Sequence, residues 1–499
     1  MKQKFNDQEI ERRKNLEELK KININPYPAE EVEINNTSLK IKNSFKEGLK
    51  VMIAGRLISK RIMGKASFAQ IKDSWGDVQI YVNRDEICPD ENKEKYNLIF
   101  KKLLDLGDFI WVSGDLFTTK VGEKSIKVKD IKILSKSLKP LPVVKIDEEG
   151  KVHDEFKDTE LRYRQRYVDL AVNSEIKNIF ITRTKIINSM RGIFNKSNYL
   201  EVETPILQPI PGGAAARPFK THHNTLDIPL YLRIANELYL KKLIVGGYEG
   251  VYEFAKDFRN EGMDKSHNPE FTMLEIYVAY KDYNWMMDDT EYICKETVKS
   301  ILNKEEVEFG GYILDFKKPF RRISMTDILQ EKTGENILDL DKNGLRNLCK
   351  KLKVEIKKDW SESKMINSIF DATCENEIIQ PTFITDYPKK MSPLCKTHRS
   401  NPKLSERFEL FIGGMEIANA YSELNDPIDQ RERFEEQFEL LQKGDDEAMF
   451  IDYDFLNALE YGMPPTAGLG IGIDRMVMLL TNQKTIQDVL FFPQMKPKK

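Results

Sequence analysis

An α+β chain is expected: a small closed β-barrel, then a larger domain in which an antiparallel sheet is flanked by helices. Three observations predict it. Between Val51 and Leu134, five short segments alternate apolar and polar residues, with one helix-like stretch between the third and fourth. Further on, Val251 to Tyr280 and Ser405 to Leu424 each read as two alternating strands joined by a loop or tight turn. Around them lie stretches with helical spacing of apolar residues, the clearest being Ile186, Met190, Ile193 and Phe194.

At 499 residues the chain can bury a large core and carry an accessory module. Charged residues make up 32% of it and the formal net charge is −2, which excludes a strongly basic nucleic-acid protein. Any polyanion must meet local patches. Cys88, Cys294, Cys349, Cys374 and Cys395 show no C-x-x-C pairing, as expected of a reducing compartment and no structural zinc. The charged start, MKQKFNDQEIERRKNLEELKK, has no apolar signal core, and no apolar run approaches the ~18 residues of a membrane span. A cytoplasmic protein with no membrane partner is the expectation.

Residues 1–45 read as a helical leader, a charged helix followed by Asn25-Pro26-Tyr27-Pro28, with a solvated helix the default. Residues 46–138 hold the barrel, with strands near 51–59, 67–73, 77–83, 109–118 and 124–134 and a helix from Asp90 to Leu106. Five strands interrupted there by a helix is the element order of the OB fold. Alternation sends Ala69, Ile71, Val78, Ile80 and Val82 inward, and Phe68, Gln70, Gln79 and Tyr81 outward. Aromatics beside amides suit stacking and edge reading of unpaired bases, and Arg56, Lys60, Arg61 and Lys65 lie just upstream. Taken alone, a Phe68 that merely covers a barrel end is an equally good reading.

Residues 139–175 read as a linker, opening on a stiff Leu-Lys-Pro-Leu-Pro exit and continuing rich in Arg and Tyr. The larger domain spans 176–499. Its first long helix leads into Tyr-Leu-Glu-Val-Glu-Thr-Pro, an alternating strand closed by Pro205, which marks a sheet edge open to another chain. Gly212-Gly213-Ala214-Ala215-Ala216-Arg217 reads as a loop or a place of close backbone approach. Glu237 then opens a helical segment, where a carboxylate caps the helix or binds an α-ammonium.

Val251 to Tyr280 carries the densest chemistry. Period two puts Asp257, Arg259 and Glu261 on one side of the first strand, and Phe271, Met273, Glu275 and Tyr277 on one side of the second. A solvated face with surface ion pairs is the ordinary reading of such positions. The intervening loop, with Lys265, His267 and Asn268, adds polar groups at the same end and favours a pocket for a zwitterion and an aromatic base. Residues 284–380 show helical spacing and no evident chemistry.

In Ser405 to Leu424, Gly413-Gly414 is a two-residue hairpin turn pairing Ile412 with Met415 and Glu409 with Ala418. Glu409 and Glu416 then become diagonal neighbours about 7–8 Å apart, able to share a divalent cation. Asn419, Tyr421 and Glu423 have the opposite parity to Glu416. Both sets reach one pocket only if a β-bulge near Ile417–Ala418 re-aims the strand. Finally, Gly468 to Leu480 (GLGIGIDRMVMLL) alternates glycines with apolar residues, and Asp474 can cap a helix starting at Arg475. An arginine in a first turn opposes the macrodipole unless a polyphosphate sits there, and Gly470 and Gly472 let backbone lie against an adenine.

Phe258-Arg259-Asn260-Glu261 with its loop and second strand resembles motif 2 of the class II aminoacyl-tRNA synthetases. The helix, strand and Pro205 resemble motif 1, the family's homodimer interface, and Gly-x-Gly-x-Asp-Arg before an apolar helix resembles motif 3. With the N-terminal barrel, the chain resembles class IIb, whose substrates are lysine, aspartate and asparagine. The acidic surplus of Glu237, Glu275 and Glu423, with Tyr277 and Tyr421, favours a basic amino acid. Arg-Ile-Ala-Asn-Glu-Leu-Tyr-Leu-Lys and Asn-Ala-Tyr-Ser-Glu-Leu-Asn-Asp-Pro are similar to the bacterial-type lysyl-tRNA synthetases.

That resemblance implies a ligase joining L-lysine to tRNA(Lys) through a lysyl-adenylate, with ATP as substrate and Mg²⁺ as cofactor. It implies Gly213 and Glu237 on the α-ammonium and Arg259 on the α-carboxylate. Tyr277 and Glu423 would hold the ε-ammonium, with Glu275, Asn419 and Tyr421 alongside. ATP would meet Arg259, Glu261, His267, Asn268, Glu416 and Gly472, with adenine between Phe271 and Arg475. Arg259 and Arg475 are the expected catalytic groups, Glu409 and Glu416 the Mg²⁺ ligands, and Phe68, Gln79 and Glu123 the anticodon readers. The alternatives are a lysine-adenylating paralogue acting on a translation factor, which lacks the barrel, and an inactive tRNA-binding protein, which should have lost the ATP contacts.

Overall fold

In the computed structural model all residues are described except 1–3, 90, 143–144, 147–151, 154–155, 215, 358–359, 444–447 and 498–499. Asp90, Ala215 and parts of the expected linker therefore lie outside the described residues. The chain forms two compact units, Met1–Asp158 and Thr159–Lys499.

In the first unit, strands Lys50–Met63, Ala66–Lys72, Asp77–Asn83, Phe109–Thr118 and Lys124–Ser135 close into a barrel in the order first, second, third, fifth, fourth. The expected alternation holds: Ala69, Ile71, Val78, Ile80 and Val82 are buried, whereas Phe68, Gln70, Gln79 and Tyr81 face outward and are half-buried. The expected helix is shorter. A turn at Arg84–Ile87 precedes a π-wound Lys95–Leu103 that plugs the barrel with Tyr96, Phe100 and Leu103. The leader helix, Asp7–Lys21, starts at an Asn6/Glu9 capping box but is not simply solvated. Leu19 joins the barrel core, and Arg12 donates to the carbonyls of Ser137 and Leu106.

The second unit is built on an eight-stranded sheet. Its order is Arg321–Ser324, Thr382–Pro388, Leu404–Ile412, Met415–Ser422, Thr466–Gly472, Glu270–Ala279, Gly250–Phe258, Leu200–Glu201. The inner pairs are antiparallel and the two outermost parallel. The predicted edge strand exists but is only Leu200–Glu201. One sheet face buries Leu274, Ile276, Phe408, Leu410 and Ile471 against Ile186, Met190 and Phe194 of the Ser174–Lys196 helix. Opposite parity leaves Glu275, Tyr277, Glu409, Asn419 and Tyr421 on the other face.

Part of the expected linker is helical: Thr159–Arg164 and Arg166–Val172. Arg166 is buried, paired with Asp169, and donates to the carbonyls of Gln487 and Phe491. The middle of the chain supplies helices Met325–Thr333, Lys342–Lys351 and Glu362–Thr373, which share an apolar cluster with Tyr387 and Phe411.

Candidate active site

Gly413 and Gly414 both take left-handed φ (63° and 73°), which closes the hairpin with Ile412 opposite Met415. The register shifts between Leu410 and Phe411: Phe411 faces Glu416, but Leu410 faces Ala418. Ile417 is the extra residue, so the expected bulge is present and flips the strand's parity. It also corrects one pairing, because Glu409 lies opposite Asn419 rather than Ala418.

Two cavities meet on this face. The smaller is lined by Phe271, His267, Asn268, Gly472 and Arg475. Arg475 Nη1 donates to the Glu416 carbonyl at 2.7 Å and to Glu416 Oε2 at 3.1 Å, while Nη2 lies 3.3 Å from His267 Nε2. Glu261 is also at its wall, exposed and beyond the strand's end at Phe258. Asp474 does not cap the following helix. The helix is Ile473–Leu480 with Gly472 at its cap, and Asp474 accepts from the Thr272 backbone N–H and from Arg183, tying helix to hairpin.

The larger cavity, about 730 Å³, is lined by Gly213, Glu237, Glu275, Tyr277, Asn419 and Tyr421. Glu409 also lines it, and Glu416, Arg259, Met273 and Gly470 belong to both cavities. At that common wall the Arg259 side chain lies over the Phe271 ring, 5.1 Å from its centroid, and its buried Nε has no partner among the described residues. An unpaired guanidinium N–H in a cavity wall is a site prepared for an anion.

The acidic end rests on close backbone approach. A Cβ at Gly468 would stand 2.0 Å from Glu423 Oε1 and 2.6 Å from Tyr277 Cε1, and one at Gly470 would stand 2.8 Å from Glu275 Oε1. These glycines make room for carboxylates, whereas Gly472 makes only ordinary contacts near Arg475. Tyr277 donates to Glu275 Oε2 at 3.0 Å. Burial, then the charge of Glu237 and Asp257, pushes the Glu275 carboxyl well above its ordinary range. Glu423 sits behind the cavity wall, fully buried, where it and Glu237 pair with Lys241. Glu237 opens the Glu237–Val245 helix as expected. Arg233, bonded to Glu253 Oε1 at 2.8 Å, with Asn236 on the other oxygen, anchors that helix to the neighbouring strand.

Glu409 accepts from Tyr387 Oη at 2.7 Å and from Arg407, which also donates to Asn419. Glu409 and Glu416 supply the hard oxygen donors that Mg²⁺ takes, but only two residues. Among the described residues no group of three His, Cys, Asp or Glu is arranged to hold a metal ion. The donor set suits a cation completed by phosphate oxygens and water.

Sequence reading missed several wall residues. Asn367 and Ser368 of the Glu362–Thr373 helix line the larger cavity. Burial, then the charge of Glu409 and Glu416, pushes the Asp371 carboxyl up to about 6, so this region, where the sequence shows no evident chemistry, faces the site. Lys241 was legible only as a lysine four residues after Glu237, hence on the same helix face.

On the barrel, Phe68 stands 5.2 Å from Tyr81, which stands 5.7 Å from Phe117, forming an outward aromatic row. Gln79 lies opposite Ser125 and accepts its hydroxyl at 2.8 Å. Exposed Glu123 precedes that strand.

A largely antiparallel sheet carrying an arginine with an unpaired N–H at the wall between two cavities, one of them acidic, is the arrangement of an amino-acid-activating enzyme of class II. Residues 158–496 match the class II tRNA synthetases (D, K and N), residues 51–134 match the OB-fold nucleic acid binding domain, and the chain belongs to that synthetase family. Within it, the chain belongs with the lysine–tRNA ligases. It is 61% identical to the lysine–tRNA ligase of Christiangramia forsetii, over 100% of this chain and 87% of the relative. Against that of Azobacteroides pseudotrichonymphae it is 59% identical, over 99% of each. Against that of Porphyromonas gingivalis it is 59% identical, over 99% of this chain and 86% of the relative.

Proposed function

We propose that this enzyme activates L-lysine with ATP to lysyl-adenylate and pyrophosphate, then transfers lysine to the 3′ end of tRNA(Lys). The observation that carries the reading is Arg259, at the wall common to both cavities with an unpartnered Nε. Lysine in the acidic cavity and ATP in the other would meet there. Glu237 and Gly213 would take the α-ammonium, and Tyr277, Glu423 and Asn419 the ε-ammonium end. Phe271 and Arg475 would enclose adenine, with Glu261, His267 and Asn268 on the remainder of ATP.

The chemistry needs no general base. Lysine's carboxylate is already a nucleophile; it attacks the α-phosphorus in line, the bond to the β-phosphate oxygen breaks, and pyrophosphate leaves. Arg259 orients the carboxylate and stabilises the charge that develops on the α-phosphoryl group. Glu409 and Glu416 would hold Mg²⁺, which when bound would neutralise phosphate charge.

Lysine-dependent ATP–pyrophosphate exchange tests the reading. The wild-type chain should show it, and Arg259→Ala should lose ~3–4 kcal/mol of transition-state stabilisation, a loss of about a hundredfold to a thousandfold. Near-normal exchange by the variant would remove Arg259 from this role.

For transfer, we propose that Phe68, Gln79 and Glu123 read the anticodon, with the aromatic row supplying stacking surfaces. A homodimer is proposed through the edge strand, where Leu200, Ile206 and Leu207 are exposed. No helix among the described residues is long and apolar enough to cross a membrane. The five free, buried cysteines support a cytoplasmic setting.

A further inference from the structure

Lys241 has no place in the chemistry above, yet it is the most enclosed cation of the acidic end. Its side chain is 0% exposed. The ammonium pairs with Glu237, one helical turn earlier, and with Glu423 from beyond the end of the Met415–Ser422 strand. The rings of Tyr421 and Phe455 each have their centroids 5.6 Å from Nζ. Burial works against its charge, but Glu237 and Glu423 outweigh that and raise its pKa. Its place between two carboxylates favours the charged form of Lys241.

Its neighbours are out of balance with it. Glu237 and Glu275 line the same cavity, and the Glu275 carboxyl is pushed up by burial first and then by the charges of Glu237, Asp257 and Glu423. Among the described residues Glu275 has Tyr277 as a donor and no ion-pair partner, and Glu423 Oε1 is buried without a hydrogen-bond partner. Nearby Glu253 and Asp257 share the one guanidinium of Arg233, and burial pushes the Asp257 carboxyl up to about 7, where it can stay protonated and add no further charge. Around the cavity three carboxyl groups thus stand against one ammonium; burial pushes Glu275 and Glu423 up, so they ionise fully only when further cations arrive. Uncompensated buried charge is costly, so the vacancy has a defined value.

We propose that Lys241 is a positioning and specificity-determining residue: as the fixed cation between Glu237 and Glu423, it leaves the acidic cavity two positive charges short, the number a diamino acid brings. A monocationic amino acid leaves one carboxylate unmatched, and without Lys241 even lysine does so. This rests on the lysine reading of the same cavity.

Charge counting makes an unusual prediction about pairs of substitutions. Glu423→Gln should weaken lysine binding in the wild-type chain, because the cavity is then overmatched. In a Lys241→Met background the same change removes the unmatched carboxylate and should strengthen binding. The full chain would be prepared as E423Q, K241M, K241Q, K241M/E423Q and K241Q/E423Q, with lysine and ATP binding and thermal unfolding measured on each. K241M should lose about a hundredfold in lysine affinity and no more than about threefold in ATP affinity, and E423Q should restore about tenfold of the lysine loss. The double variants leave two carboxylates unmatched where the single Lys241 variants leave three, and should unfold at higher temperature than those single variants; K241Q carries the comparison where K241M does not fold. A merely structural lysine predicts losses that accumulate instead. E423Q weakening lysine in both backgrounds, equal losses for lysine and ATP in K241M, or double variants that fail to fold would each overturn the proposal. Absence of lysine-dependent exchange in the wild-type chain would instead overturn the reading on which it rests.

Discussion

Glu409 holds a proton more tightly than an ordinary carboxyl because burial raises its pKa, to about 7, with Arg407 opposing and Glu416 adding to the rise. A cation bound there must displace that proton at acid pH but not at alkaline pH. The Mg²⁺ concentration for half-maximal exchange should therefore rise as pH falls through about 7, by up to ~10-fold per unit. Mg²⁺ titrations at three pH values across that range check this, and a flat response would remove Glu409 from the cation site. Gly468 gives a steric test of the same face. In Gly468→Ala the new Cβ would fall 2.0 Å from Glu423 Oε1, so Glu423 and Tyr277 must move. Overpacking of this kind costs roughly 1–3 kcal/mol. The expected result is a lower unfolding midpoint in denaturant together with a raised KM for lysine.

The bulge at Ile417 decides which side chains the hairpin offers. Without it, Glu416 and Tyr421 would project to opposite faces, and the proposed cation ligands and amino-acid wall would part company. The turn before it sets that register. Gly413→Ala and Gly414→Ala both place a Cβ at left-handed φ, worth about 1 kcal/mol each. At Gly413 the Cβ would also lie 2.8 Å from the Phe309 ring, whereas at Gly414 nothing comes closer than 3.6 Å. Denaturant unfolding should rank Gly413→Ala as the more damaging, and the reverse order would show that the turn is not set by these contacts. The bulge was legible in the sequence because two groups of polar residues had clashing parity, and only an inserted residue reconciles them. The barrel was legible for the same reason, as period-two burial survives closure. Lys241 was not, since a lysine four residues after a glutamate reads as an exposed helix pair until Glu423 arrives from a distant strand. The Glu362–Thr373 wall was hidden likewise: its helical spacing reports its core contacts with Ile369 and Phe370 and says nothing of what its other face meets.

At the scale of the whole chain, the proposed recognition tasks divide between the two compact units. Every group proposed to touch lysine or ATP lies within Thr159–Lys499, and every proposed anticodon reader lies within Met1–Asp158. Amino-acid activation needs no tRNA, so it should be indifferent to the barrel's outer face. Phe68 is half-buried against Tyr81, but neither ring belongs to the barrel core. Phe68→Ala should therefore leave lysine-dependent ATP–pyrophosphate exchange unchanged. Loss of one stacking surface, worth roughly 1–3 kcal/mol, should lower the kcat/KM for tRNA charging by about tenfold or more. With a net charge of −2 over the chain, binding of the polyanion depends on local basic groups such as the exposed Arg61 and Lys65, since Arg56 and Lys60 are turned to backbone carbonyls of the barrel. Charging at low tRNA concentration should then fall as salt rises, while exchange changes little. Measuring both activities on the same preparation across a salt series separates the units, and a Phe68→Ala variant that lost exchange and charging in parallel would show that they do not act independently.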